Sequence, residues 1–178
     1  LLSVPAFYKL KDKIFLNSKK VMGKKYYRCK VEVDADVIKA YSIFNPVQIE
    51  HTIVIYLNDP DGWGKHGYFF EPVLDREDTS IRLVMPETIL KMCGIPDNLS
   101  CAELGGRFMY LNASRWFGGS KESKLSLGDY RQYMVNHEIG HILGFDHKKC
   151  PCPGCKAPIM LQQTLGLQGC IPDHGNVR

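Results

Sequence analysis

No stretch of this chain comes near the ~20 consecutive apolar residues that a membrane-spanning helix requires. A membrane-spanning helix within these 178 residues is therefore not expected. No Pro/Ser-rich linker, internal repeat or low-complexity tract interrupts the sequence, which reads as one domain over 1–178 with a proper core. Charge of one sign is also scarce: 23 Lys and Arg against 19 Asp and Glu leave a formal net charge of +4. Lysines gather early (Lys9, Lys11, Lys13, Lys19, Lys20, Lys24 and Lys25), but no nucleic-acid-binding motif accompanies them. The cluster reads as a solvated basic face, and no nucleic acid is expected as a partner. Because the sequence opens on Leu1, an upstream signal, anchor or pro-segment is allowed for.

Cysteine, in contrast, is plentiful. Seven are a high count for an enzyme of the reducing cytosol, so a secreted protein, or one otherwise outside that compartment, is expected. Cys93 and Cys101 flank a short loop, 94–100, and suit a local disulfide. Cys150 and Cys170 bracket a proline-containing turn at 157–160, and a bridge between them would hold that turn. Cys29, Cys152 and Cys155 remain. The run Cys150-Pro151-Cys152-Pro153-Gly154-Cys155 also fits a second metal, but one short cluster lacks the paired spacing of a zinc module, and disulfides are preferred. Cys29 reads as a buried thiol. Asn98-Leu99-Ser100 and Asn112-Ala113-Ser114 match glycosylation sequons.

The chemistry lies in His137-Glu138-Ile139-Gly140-His141-Ile142-Leu143-Gly144-Phe145-Asp146-His147, which reads H-E-x-x-H-x-x-G-x-x-H. Residues four apart share a helix face, so His137 and His141 can offer nitrogens to one cation. Glu138 sits one step round, within reach of a water on that cation. Gly144 permits a left-handed exit from the helix, which returns His147 as a third ligand. Three protein ligands with a fourth position open describe a catalytic zinc site holding one ion, not a structural one. A lone helical histidine is usually an ordinary surface or core residue. Chance agreement at five fixed positions, however, is on the order of one in 10⁵, so the motif carries the reading.

The flanking sequence supplies a platform. Ser126 and Asp129 form an N-terminal capping pattern that predicts a helix from near Leu127. At ~100° per residue, Tyr130, Met134, His137 and His141 share one stripe, and Val135, Ile139, Ile142 and Leu143 lie opposite. Such a helix is packed on one side and faces a site on the other. Elsewhere, strands are expected at 26–33, 51–57, 68–73, 80–85 and 107–111. Asp34 is expected to cap a short helix running through Ala40 and Phe44, and Pro86 to begin another through Met92. This interspersion predicts an α+β fold with a mixed sheet.

The extended motif, followed by Ala157-Pro158-Ile159-Met160, resembles the metzincin clan of zinc peptidases. Closer still, Asp61-Gly62-Trp63-Gly64, CAELGGRFMYLNASRW at 101–116, Tyr130-Arg131-Gln132-Tyr133 and APIMLQQT at 157–164 are similar to a family of secreted actinobacterial domains with metzincin-like motifs. The resemblance implies a twisted mixed sheet packed on helices and a zinc-binding helix. It divides the domain at about residue 144 and places a short C-terminal subdomain, 145–178, after it. It also implies a Met-turn in which Met160 lies beneath the metal; an ordinary core methionine is the alternative. The clan's strand before the active-site helix lies at the sheet edge and pairs with extended substrate, a role that would fall to Arg107, Phe108, Met109, Tyr110, Leu111 and Asn112. Two departures stand out: Leu161, Gln162 and Gln163 occur where some of these families carry a tyrosine, and the tail is short.

The activity expected is zinc-dependent peptide hydrolysis by a monomer acting on a peptide or protein chain. Glu138 would serve as general acid/base through a metal-activated water. A zinc hydrolase of a non-peptide, cell-wall type amide and a silent zinc-containing binding module are the alternatives. His51, His66 and His174 have no ligand spacing among themselves and read as structural or surface residues.

Overall fold

Alternating burial along one strand sets the layers of the molecule, a computed structural model that describes residues 25–175 and 177. In β1 (Lys25–Val33), Cys29, Val31 and Val33 point into the core. Lys30 and Glu32, between them, pair at 3.0 Å on the outer face. This period of two is what a pleated strand with one packed face demands. β2 (Tyr68–Pro72) and β3 (Thr79–Val84) run parallel to β1 on either side. β5 (Phe108–Asn112) runs parallel to β3, and the two-residue β4 (Cys101–Ala102) closes the sheet antiparallel to β5. The order is β2-β1-β3-β5-β4. Parallel neighbours need crossovers. Helices α1 (Ala35–Ala40) and α2 (Pro46–Leu57) supply the one from β1 to β2, and a 3₁₀ turn, Trp63–His66, precedes β2. Three more helices follow: α3 (Pro86–Cys93), α4 (Ala113–Gly118) and α5 (Leu127–Ile142). The fold is the expected α+β, a mostly parallel mixed sheet packed with helices.

Three expectations are corrected. The 51–57 segment is the end of α2, not a strand. A strand would put Ile53, Ile55 and Leu57 on one side, yet Ile53, Val54 and Leu57 are buried while Ile55 is 52 % exposed. Burial of that helical stripe outweighs the modest helix cost of β-branched side chains. Asp34 occupies the N-cap position of α1 without capping it. Its carboxylate accepts instead from Arg82 Nε of β3 at 3.0 Å, and α1 ends at Ala40, leaving Phe44 99 % exposed. The segment 107–112 is not at the sheet edge: β5 lies between β3 and β4, and the edges are β4 and β2. Neither β4 nor α4 is foreseen by the sequence reading.

The main core joins the inner faces of β1, β3 and β5 to α2 and α5. A smaller cluster of Ala157, Leu161, Leu167 and Cys170 lies in the final segment. That segment carries no helix among the described residues and one parallel bridge, Lys156 to Ile171. No helix of the described chain is long and apolar enough to cross a membrane. The basic cluster from Lys9 to Lys24 lies outside the described residues.

Glu50, on α2, is pushed from its ordinary 4.5 up to about 7, chiefly by burial, with Glu32 adding to the effect. The folded state then holds a proton that the unfolded chain has released between those values, so stability falls as pH rises through that window and levels off above it. Glu50→Gln is expected to flatten this fall. Denaturant titrations from pH 4 to 8 check it, and parallel curves for the two proteins would contradict the assignment.

Candidate metal centre

Helix α5 starts as its sequence predicts. Ser126 Oγ accepts the Asp129 amide at 3.2 Å and bonds the Asp129 carboxylate at 2.8 Å. Every residue from Tyr133 to Ile142 is buried. At the far end Gly144 takes φ +93°, and its amide bonds the carbonyl of His141 at 2.9 Å. The Phe145 amide reaches back to the carbonyl of Gly140, also at 2.9 Å. These two bonds form a Schellman turn, which satisfies the last helical carbonyls and reverses the chain. The reversal brings His147 against His141, with their Nε2 atoms 3.1 Å apart.

One nitrogen each of His137, His141 and His147 lies within 4.8 Å of the other two. This is the one group of three or more His, Cys, Asp or Glu with metal-holding geometry among the described residues. Backbone carbonyls orient two of the rings: His137 Nδ1 meets Ile159 O and His141 Nδ1 meets Phe145 O, each at 2.8 Å. A carbonyl can only accept, so Nδ1 carries the proton and Nε2 presents its lone pair. Burial drives His137 down to about 3 and lowers His141, and both are therefore neutral, the ligand form, at physiological pH. The donor set fits a divalent transition metal such as zinc.

Glu138 is buried, and burial lifts its carboxyl to about 8. It lines a cleft of about 330 Å³ together with the three histidines. One wall is the 94–100 loop, through Ile95, Pro96, Leu99 and Ser100, and the β4 edge through Cys101 and Ala102. Gln162 and Thr164 form another, with Tyr133 and Met134 from α5 between. The loop after β4 is tied to the site, because the Gly105 amide donates to His141 O at 2.8 Å. None of residues 107–112 lines this cleft. Met109, Leu111 and Asn112 are wholly buried, Tyr110 nearly so, and Arg107 donates to Glu77 O at 3.0 Å. Phe108 is 43 % exposed but lies away from the cleft. Asn112 caps α4, accepting the Ser114 amide at 2.9 Å, and its amide donates to Asp97 O and Leu99 O. That burial also removes the Asn112 sequon as a modification site of the folded chain; Asn98 is exposed.

The segment after His147 forms the floor. Ile159 supplies its carbonyl to His137, and Met160 packs its sulfur against Gly140. Tyr133 OH donates to Leu161 O at 2.9 Å and accepts the Gln163 amide at 2.8 Å, which fixes the chain leaving that turn. Disulfides Cys93–Cys101 and Cys150–Cys170 are both present, and Cys152 pairs with Cys155. Cys29 is free and buried in β1, as part of the main core. Three disulfides place the folded chain in an oxidising environment. His66 bonds Val177 O at 2.9 Å and His174 faces Asp129 at 3.6 Å, and neither joins the cluster.

A family model described as a protein of unknown function, DUF3152, matches residues 12–171, and the chain belongs to that family. No match was found among curated proteins.

Gly140, read from sequence only as a variable position of the motif, is fixed by packing. A Cβ there would stand 2.4 Å from Met160 Sδ and 2.8 Å from Trp63 Cζ2. The sequence signal was a glycine in a helix interior, where it costs ~1 kcal/mol against alanine and so usually has a packing reason. Overpacking costs about 1–3 kcal/mol, which outweighs that propensity gain because the Trp63 ring is held in place. Gly140→Ala is expected to lower the thermal midpoint, as measured by differential scanning calorimetry; an unchanged or raised midpoint would show that the floor yields.

Proposed function

We propose, for this member of a family of unknown function, that the three-histidine cluster holds one zinc ion and that the protein is a zinc metalloendopeptidase of metzincin type. The observation that carries the reading is a buried glutamate beside three converging imidazoles, open to a cleft. Zinc held there would supply Lewis acidity, activating water and polarising a scissile carbonyl. The chain's own part follows from its residues. Glu138 takes a proton from the attacking water and passes it to the leaving amine. His137 and His141 hold their rings fixed through Ile159 O and Phe145 O, so the open side of the cluster stays aimed at the cleft.

The β4 edge supports an extended substrate. Its inner side pairs with β5, and its outer side lies at the end of the sheet, able to add a peptide through main-chain hydrogen bonds. Ile95, Leu99, Ala102 and Met134 offer apolar contacts to substrate side chains. Met160, packed under α5 against Gly140, fits the methionine of a Met-turn. With the three disulfides, a secreted enzyme is the localisation that fits best. Tyr133 has its hydroxyl committed to Leu161 and Gln163, so oxyanion stabilisation is assigned to the metal and backbone amides.

Glu138→Ala is expected to retain about one zinc per chain by inductively coupled plasma mass spectrometry while losing at least 10²–10⁴ in turnover of a diverse peptide library. Wild-type cleavage rates in that variant would remove Glu138 from the chemistry. His141→Ala should lose tight zinc binding, and an unchanged metal content would overturn the ligand assignment.

A further inference from the structure

One motif of the sequence remains outside the proposed chemistry. Asp61-Gly62-Trp63-Gly64 forms a loop and the start of the 3₁₀ turn, on the side of α5 away from the cleft. The loop is tightly built. Asp59 Oδ1 accepts the Asp61 amide at 2.9 Å, Asp59 O accepts the Gly62 amide at 3.0 Å, and Gln132 of α5 donates to the other Asp59 oxygen. Gly64 is required by proximity, since a Cβ there would lie 2.8 Å from Asp59 O. The product of this construction is a tryptophan that is 3 % exposed and pinned from every side.

Three contacts of Trp63 fall beside histidines of the cluster. Its Nε1 donates to Asn136 O at 2.9 Å, one residue before His137. Its Cζ2 edge fills the space above Gly140, one residue before His141. Its ring stacks on Phe145, with centroids 4.8 Å apart and planes 29° from parallel. Phe145 is the residue whose carbonyl holds His141 Nδ1. Its side chain, 37 % exposed, is otherwise set on a turn at the surface. Tyr68 of β2 meets Trp63 edge-on at 6.0 Å and backs the ring from the sheet.

We propose that Trp63 is a positioning residue of the three-histidine site: it fixes the Phe145 turn and the Asn136–Gly140 stretch of α5, and so holds the His137 and His141 rings in the geometry that binds metal. The inference rests on the metal-binding reading of that cluster and extends it to a residue that touches neither metal nor substrate. Groups that orient metal ligands from behind commonly change metal affinity 10–100-fold when removed.

The test uses the full chain, loaded with zinc or with cobalt(II), and reads affinity by chelator competition and ligand geometry by the cobalt(II) visible spectrum. Trp63→Ala is expected to bind zinc about 10–100-fold more weakly and to give an altered cobalt(II) spectrum. Trp63→Phe, which keeps a ring to stack on Phe145, should restore most of both. Val31→Ala, a core truncation in β1, should lower the thermal midpoint while leaving both readouts unchanged. Equal affinity and identical spectra in wild type and Trp63→Ala would overturn the proposal while leaving the metal site standing. A wild type that holds no metal would overturn the metal reading and this inference together. If Trp63→Ala fails to fold, the test passes to Trp116→Phe, in which Trp63 is the sole tryptophan. Zinc should then shift Trp63 emission, and an emission that ignores zinc would overturn the proposal.

Discussion

Two backbone carbonyls, those of Ile159 and Phe145, set the orientation of the histidine cluster. Each accepts a hydrogen bond at 2.8 Å from an imidazole Nδ1 and thereby turns the opposite nitrogen into a lone-pair donor aimed at a common point. Neither carbonyl belongs to a side chain that the motif names. Both are placed by backbone: one by the Schellman turn that ends α5, the other by the 157–160 segment that passes beneath it. Much of the surrounding structure serves to keep those oxygens where they are. Tyr133 anchors Leu161 and Gln163, Cys150–Cys170 ties the ends of the returning segment, and Trp63 presses on Phe145.

Burial sets protonation at the same time as it sets position. The environment that drives His137 down to about 3 also lifts Glu138 to about 8, because removing water disfavours the charged form of either group. A cation that the histidines can accept is therefore also the charge this pocket lacks. Steric constraint enters where Gly140 leaves no room for a side chain between Met160 and Trp63. The helix can thus approach its floor closely on one side while its other side opens to the cleft.

Much was legible in sequence because local rules govern it. The capping of α5 by Ser126, the left-handed Gly144 and the convergence of His137, His141 and His147 follow from helix periodicity and turn chemistry, which act over a few residues. Strands β1, β2, β3 and β5 and helix α3 were read within a residue or two for the same reason. The pairs Cys93–Cys101 and Cys150–Cys170 were visible because each brackets a short excursion. The errors arose where tertiary packing overrode local preference. The β-branched 51–57 run became helical because a helix buries Ile53, Val54 and Leu57 together against the core. Asp34 gave up its cap to pair with Arg82, 48 residues away. β4 is too short to show a period, and its place at the edge is set by pairing with β5.

The histidine triad, the carboxylate beside it, the cysteine-rich setting and the α+β class are all written in the sequence, since each depends on residue chemistry at short spacing. Folding alone sets which strands form the edges, which loop walls the cleft, which nitrogens of His137 and His141 carry hydrogen, and that Asp61-Gly62-Trp63-Gly64 stands behind the three histidines. Those features join residues distant in the chain, and their energies come from close packing and exclusion of water, which exist only once the chain has folded.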